Sequence, residues 1–483
     1  MTRPVNIYSL SRIHSENEFN IVKKHQVCDE EPSRIKYHEI ESLRLLVDRL
    51  VRRGVPISGF AGFFYSYHIP QIGKEFDLLK FTEDECLNIE LKSDIVPDKQ
   101  ILDQLRKNKY YLRHTGKSLQ LYSVVTKDMT CYKLSLTDEL EEVEFEEVYN
   151  AVRRVGTNYL SSIDTMFRAS DYLVSPINDP DKFVKGEYFL TPAQEQIKNS
   201  ILKTIDTKNG YSFLHLTGKP GTGKTLLLYD IAKTLANKGK TLIFHCGKLS
   251  KGQEQIIKEI NQLTILSVIH LKYGDYPLEM YDYVLVDEAH RIYPYHFAEI
   301  CKSVAKNDQA CLFSSDSEQV LSITERENNI ERRIKDLQLE GEYQLSEKIR
   351  TNKNLCSFIM RMMDLNHKPK KYMDYSCVEI NYANTTKEVQ LLLEYYRGMG
   401  YVFINYSKSN YWGSPYSEYT EDFDTHHVIG QEFDKVVMLM DESFYYTDDG
   451  ILQGIPHPNP NYLYPNLFYL GITRVRETLA LIV

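Results

Sequence analysis

A chain of 483 residues is longer than one ordinary domain and predicts two or three. Its 42% hydrophobic and 26% charged residues are the usage of a core-forming globular protein, which excludes a disordered or fibrous chain. No run reaches the ~18 apolar residues that span a bilayer, and a net charge of −9 does not announce a nucleic-acid binder, although an acidic total can hide a basic surface.

The amino terminus, Met1-Thr-Arg-Pro-Val-Asn, lacks a basic-then-apolar signal and reads as a cytoplasmic start. Eight cysteines without a CxxC pair argue against a structural zinc site or a disulfide framework, and suit a reducing compartment. Apolar residues at helical spacing (Ile40, Leu43, Leu46, Val47, Leu50, Val51) predict an amphipathic helix over 34–54. Residues 59–80 and 86–92 read as strands around an acidic turn, 99–112 as a helix, and 120–125 and 130–134 as strands. The acidic segment 138–147 leads into a helix near 148–155. Residues 175–186, rich in Pro and Asp, show no apolar periodicity and mark a domain boundary. Beyond Leu190, strands at 212–216, 241–245 and 283–286 alternate with helical runs, as in a doubly wound parallel sheet. The predicted domains are 1–180, 181–345 and 346–483.

The clearest chemical signal is GKPGTGKT at residues 218–225, between the apolar run 213–216 and the helical run 226–235. A loop built on Gly218, Gly221, Thr222 and Gly223 can wrap its backbone round phosphates, with a helix N-terminus facing their charge. Lys224 would then reach the β- and γ-phosphates and the Thr225 hydroxyl would bind Mg²⁺. The bland alternative, a glycine-rich turn, does not require that strand–loop–helix context. Downstream, YVLVDEAH ends a buried strand in Asp287 and Glu288. We assign Asp287 to the metal and Glu288 to orienting the attacking water.

The order of further motifs resembles superfamily 1 helicases, over Leu190 to Val483, with a layout similar to Schlafen-group bacterial helicases. In that family a glutamine reads adenine; here LTPAQ supplies Gln194. SSDSEQ resembles the third element, with Asp316 and Gln319 in place and Ser315 where glycine is usual. LSEKIRTN resembles the fourth, which makes Arg350 an arginine finger. HHVIGQEFDKV resembles the fifth, with Gly430, Gln431, Glu432 and Asp434. LFYLGITRVRETLALIV resembles the sixth, with Arg474 as a second finger. The resemblance implies two RecA-like lobes that close on ATP, and little room for the extra subdomains of strongly unwinding helicases.

A second signal lies in IGKEFDLLKFTEDECLNIELKSD. Alternation along a strand puts Glu90 and Lys92 on one face, and pairing across the acidic turn brings Asp77 near Glu90. Two carboxylates and a backbone carbonyl, that of Leu91, form a hard oxygen site suited to Mg²⁺, with Lys92 beside the water. The bland alternative is an exposed strand face with an ion pair. The residues resemble the PD-(D/E)xK nucleases; Phe76 stands where that family often has proline, Glu39 or Glu41 is placed to add a carboxylate, and Gln104 matches a frequent glutamine. On the helix carrying Gln104, Arg106, Lys107, Lys109 and Arg113 offer charge to a phosphate backbone. Some of the 36 tyrosines offer faces to unpaired bases, although packing accounts for most.

Together these readings predict an α/β protein: a restriction-endonuclease-like domain followed by two RecA-like doubly wound lobes. The expected function is an ATP- and Mg²⁺-dependent nucleic-acid translocase or helicase coupled to a nuclease, in bacterial DNA processing or antiviral defence. DNA is favoured over RNA as partner, and no membrane is expected. Two alternatives stay open: a motor whose first domain docks substrate without cutting, and a nucleotide-gated signalling switch.

Overall fold

The computed structural model describes residues 3–26, 37–69, 72–154, 163–167, 172, 174–247, 249–273, 277–316, 320–345, 353–369, 372–408, 416–454 and 462–483. The chain divides into two compact units, Met1–Tyr172 and Leu173–Val483.

The first unit runs α1 (Ile7–Ser11), α2 (Glu16–Gln26), α3 (Tyr37–Arg52), β1 (Phe63–His68), β2 (Glu75–Phe81), β3 (Glu85–Lys92), α4 (Asp98–Leu112), β4 (Ser118–Val125), β5 (Thr130–Leu134), β6 (Leu140–Val143) and α5 (Phe145–Arg154). Its sheet has the order β1-β2-β3-β4-β5-β6. Successive strands β1, β2 and β3 pair antiparallel, whereas β3 and β4 pair in parallel. A parallel pair needs a crossover, and α4 provides it. The stripe Ile40, Leu43, Leu46, Val47 and Leu50 of α3 is buried against Leu78, Leu87 and Ile89 of the sheet, while Val51, expected on that stripe, is 39% exposed. The acidic segment contains β6, which period-2 reading missed. As an edge strand it has no apolar face to show, and its Glu141 and Glu142 point outward, which discourages further pairing.

The second unit runs α6 (Pro180–Lys185), α7 (Pro192–Thr207), β7 (Ser212–Gly218), α8 (Lys224–Ala236), β8 (Thr241–His245), α9 (Lys251–Glu259), β9 (Leu263–Ser267), β10 (Tyr283–Asp287), α10 (Pro294–Lys306), β11 (Ala310–Ser315), α11 (Ile323–Asn328), α12 (Ile330–Lys335) and β12 (Gly341–Leu345). It continues with α13 (Lys353–Met363), β13 (Val378–Asn381), α14 (Thr386–Gly398), β14 (Val402–Asn405), β15 (Phe423–Asp424), β16 (Phe433–Leu439), β17 (Phe444–Tyr446), β18 (Leu452–Gly454), α15 (Tyr464–Ile472) and β19 (Val475–Ile482). The stretch read as a boundary loop holds α6, started by Pro180 and anchored by the fully buried Phe183; one turn and a half is too short to show helical periodicity.

Two parallel sheets follow in this unit, ordered β12-β7-β11-β10-β8-β9 and β13-β19-β16-β14-β15, with β17 and β18 forming a small antiparallel ribbon. Every described pairing within the two large sheets is parallel, and the inner strands are buried on both faces and read as apolar runs such as Leu242-Ile243-Phe244. Among the described residues no helix is long and apolar enough to cross a membrane.

Candidate active sites

The glycine loop joins the carboxyl end of β7 to the first turn of α8. Gly221 (φ +80°) and Gly223 (φ +82°) take left-handed conformations, and Gly223 caps α8 so that the helix N-terminus opens onto the loop. Thr225 is buried in that first turn. The Lys224 ammonium donates to the carbonyls of Gly218 (2.6 Å) and Lys219 (3.1 Å) and to Asp316 Oδ2 (3.0 Å). Thr222 closes the loop from inside, donating to the Lys219 carbonyl at 2.9 Å. Gln194 lies beneath: its Oε1 completes the capping box of α7 with Thr191, and its Nε2 donates to the Thr222 carbonyl at 3.3 Å. Those bonds make Gln194 a brace of the loop.

Asp287 ends β10, and Glu288 follows in a left-handed conformation (φ +57°) that few side chains adopt without a constraint. Asp287 Oδ2 and Glu288 Oε2 are buried without a hydrogen-bond donor among the described residues. His245 Nδ1 stands 3.6 Å from Asp287 Oδ2; His290 Nε2 and Arg291 Nε stand 3.4 and 3.5 Å from Glu288 Oε2. Burial alone pushes the Glu288 carboxyl up, but His290, Arg291, Lys224 and Arg474 reverse this and hold it well below the usual range. Arg474, between α15 and β19 of the second sheet, therefore contributes its charge to an acid on the first.

The remaining predicted positions divide. Ser315, in place of the usual glycine, meets His215 Nε2 at 2.8 Å, and the Asp316 backbone N–H donates to His290 Nδ1 at 3.2 Å. Gly430 (φ +78°) lies where an added Cβ would come 2.7 Å from Ile177 and 3.7 Å from His245. Glu432 exchanges backbone hydrogen bonds with the Asn178 amide, and Gln431 donates to the His427 carbonyl. Asp434 is drawn aside by Arg476, at 2.7 Å. Arg350 and Gln319 lie outside the described residues. Sequence reasoning missed His290 and Arg291, although they lie two and three residues after Glu288.

In the first unit, β2 and β3 bring Asp77 and Glu90 together. Asp77 Oδ2 accepts the Leu91 backbone N–H at 2.8 Å, and burial, then the neighbouring Glu90 charge, raises the Asp77 pKa well above the ordinary value despite that bond and the Lys92 ammonium. Glu90 is 1% exposed and held by amides: Asn88 Nδ2 (3.1 Å) and Asn108 Nδ2 (2.8 Å) donate to Oε1, and Gln104 Nε2 donates to Oε2. Asn88 and Asn108 were absent from the sequence reading. The signals were Asn88 two residues before Glu90 on one strand, and Asn108 one helical turn after Gln104. Lys74, half-buried beside the same two acids, has its pKa lowered by burial. Glu39, on the exposed side of α3, acts on Tyr65 of β1, whereas Glu41 has no described partner at the acids. Among the described residues no three metal-binding side chains converge. Of the basic helix residues, Arg106 and Lys109 are committed to Asp138, and Arg113 stacks on Tyr110.

Comparison with known proteins bears on the second unit. Residues 212–388 match the family model for the Schlafen group 3, DNA/RNA helicase domain. The matched segment contains Lys224, Asp287, Glu288 and Asp316, and leaves Arg474 and the first unit outside. Two solved Pif1 helicase structures are similar over 61% of this chain and 92% of theirs. One concerns DNA unwinding at forked duplexes by two coordinating Pif1 helicases (11% identity, TM-score 0.34). The other is Pif1 from Bacteroides with ADP-AlF3 and single-stranded DNA (13%, 0.31). An Arterivirus nonstructural protein 10 helicase with DNA is similar over 61% of this chain and 65% of its own (13%, 0.33). At these scores the likenesses establish neither fold nor function. No curated protein matches the chain.

Proposed function

We propose that the second unit is an ATP-driven translocase or helicase acting on nucleic acid. The observation that carries this reading is that Lys224 of the first sheet and Arg474 from the second both act with their positive charge on the buried Glu288 carboxylate. A triphosphate in the glycine loop takes the loop N–H groups and the ammonium of Lys224, which exchanges its bond to Asp316 for phosphate oxygens. Arg474 then faces the charge that develops on the transferred phosphoryl group. Glu288, held ionised by its cationic neighbours, orients the attacking water rather than storing its proton. Because Arg474 is supplied by the other sheet, nucleotide occupancy and the spacing of the two sheets are linked, as stepping along a strand requires. The helicase description of the matched family supports nucleic acid as the partner.

The donor sets fit Mg²⁺ at two places. At the glycine loop, Thr225 and Asp287 would hold it, and the donor-free Oδ2 of Asp287 is the oxygen left over for a cation. In the first unit, Asp77, Glu90 and the Leu91 carbonyl would hold it, and the juxtaposition of the buried Glu90 with the half-buried Asp77 would be relieved by a divalent charge. When bound there, the ion supplies Lewis-acid polarisation of a phosphodiester. Lys92 would orient the water, and Asn88, Asn108 and Gln104 fix the Glu90 carboxylate. The antiparallel β1-β2-β3 meander with β4 added in parallel supports a nuclease of the restriction-endonuclease kind, which would cut the strand the motor exposes. Phage defence or DNA processing is the setting we infer from that pairing of activities.

One observation favours a docking domain without cleavage: both Glu90 oxygens and one of Asp77 already accept protein hydrogen bonds. Incubating the purified protein with labelled single- and double-stranded DNA and RNA and Mg²⁺, with and without ATP, decides among these. Product formation that needs Asp77 supports the nuclease; intact strands with stimulated ATP hydrolysis support docking; hydrolysis indifferent to every nucleic acid supports a nucleotide-gated switch.

A further inference from the structure

Arg291 is one of the cations that hold Glu288 ionised, and its placement has a further feature which that role does not explain. Its side chain is 3% exposed, and none of its three guanidinium nitrogens has a hydrogen-bond partner among the described residues. A buried cation in that condition is costly unless opposite charge lies close by. Two carboxylates do, and at nearly the same distance: Nε is 3.5 Å from Glu288 Oε2 and Nη1 is 3.7 Å from Glu325 Oε1. The guanidinium thus stands between two acids and is hydrogen-bonded to neither.

The two acids belong to different parts of the unit. Glu288 follows β10 of the first sheet. Glu325 lies on α11, whose leading segment is fastened to the second sheet's side. The other Glu325 oxygen, Oε2, accepts the Leu321 N–H at 2.6 Å, and Leu321 is buried in the core of the second sheet. Ser322 forms a β-bridge with Tyr462, the Leu463 N–H donates to the Leu321 carbonyl at 2.9 Å, and the Asn466 amide donates to the Val320 carbonyl at 2.7 Å. Leu463 caps α15, the helix that leads directly to Arg474.

We propose that Arg291 is a positioning residue that ties the water-orienting Glu288 to the second sheet through Glu325, so that turnover responds to nucleic acid. A shift of the 320–325 segment toward the guanidinium draws it off Glu288; a shift away lets it close on Glu288. One small displacement at the second sheet is then converted into a choice of partner at the catalytic acid. The proposal rests on the reading of the second unit as a nucleic-acid-stimulated ATPase.

Glu325→Gln isolates the link, because the glutamine carbonyl still accepts the Leu321 N–H while the charge facing Arg291 is lost. ATP hydrolysis is measured for wild type, Glu325→Gln, Arg291→Lys and Lys224→Ala, with and without single-stranded DNA and RNA, alongside thermal melting. The expected result is that Glu325→Gln, with Glu288 still facing the guanidinium, is somewhat less stable but stays folded at the assay temperature and keeps basal turnover within about twofold, yet loses about tenfold of the stimulation, a coupling of ordinary allosteric size. Arg291→Lys lowers stimulation likewise, and adding it to Glu325→Gln lowers stimulation no further. Full stimulation in Glu325→Gln, with Lys224→Ala inactive, overturns the proposal and leaves the ATPase reading standing. Wild-type hydrolysis that ignores both nucleic acids also overturns it, and undiminished hydrolysis in Lys224→Ala overturns both.

Discussion

Two acids, the buried Glu288 just past the end of β10 and the half-buried Asp77 within β2, are treated oppositely by their surroundings. Glu288 is ringed by His290, Arg291, Lys224 and Arg474 and is held below the ordinary carboxylate range. Asp77 is half-buried beside another acid, Glu90, and is held above it. One site is arranged to receive an anion, its positive charge already in place and its own acid locked in the ionised form. The other stores negative charge that only a cation or a proton relieves. The pair shows how similar residues serve opposite ligands when their neighbours differ in sign.

The contrast can be broken or sharpened by experiment. For the first unit the largest expected effect is on cleavage: Lys92→Ala lowers Mg²⁺-dependent nicking by about a hundredfold or more while ATP hydrolysis persists. Equal nicking in the variant removes Lys92 from the chemistry. Next, Glu288→Gln leaves four cationic or protonatable groups facing a neutral amide, and it destabilises the second unit by about 3 kcal/mol in urea unfolding at neutral pH. The sign follows from linkage: a carboxyl whose folded pKa is depressed stabilises above its unfolded pKa, and that stability is lost as pH falls. An unchanged urea midpoint contradicts the placement of those cations.

Lys80 offers a test free of either site. Its fully buried ammonium, bonded to the Gly59 carbonyl at 2.9 Å, is pushed down to about 8 by burial. A base with a depressed folded pKa binds more protons when unfolded, so the first unit gains stability as pH rises from about 8 toward the unfolded value near 10.4. The gain is on the order of 2 kcal/mol relative to Lys80→Met, whose pH profile is flat over that window. Parallel profiles refute it. The smallest effect belongs to Asp77→Asn. With its folded pKa raised, Asp77 contributes stability below the ordinary carboxylate range that is lost as pH rises, so the amide stabilises the metal-free first unit by about 1 kcal/mol at pH 8. Destabilisation there places Asp77 in an ion pair instead.

How much of this was readable in the chain depended on whether the signal is contiguous. The strand–loop–helix of residues 212–236 is one uninterrupted string, since β7, two left-handed glycines and α8 must follow one another to form the loop at all. The meeting of Asp77 with Glu90 could be inferred only because a short turn joins their strands. Asn108, which reaches Glu90 from the crossover helix, was signalled only by its helical spacing from Gln104, and the partners of Arg291 are 3 and 34 residues away. β6 and α6 were missed for a different reason: an exposed edge strand and a six-residue helix bury too little surface to impose a period on the sequence. Asp434 fits its motif in the string, yet in space it faces Arg476.

The central claim is that a phosphate held by Lys224 is met by Arg474 from the opposite sheet. Single-turnover and steady-state ATP hydrolysis of Arg474→Ala, alongside its affinity for a fluorescent ATP analogue, tests it most directly. The account predicts a fall of about a thousandfold in kcat, with analogue affinity within about threefold of wild type. Turnover equal to wild type in Arg474→Ala would contradict it.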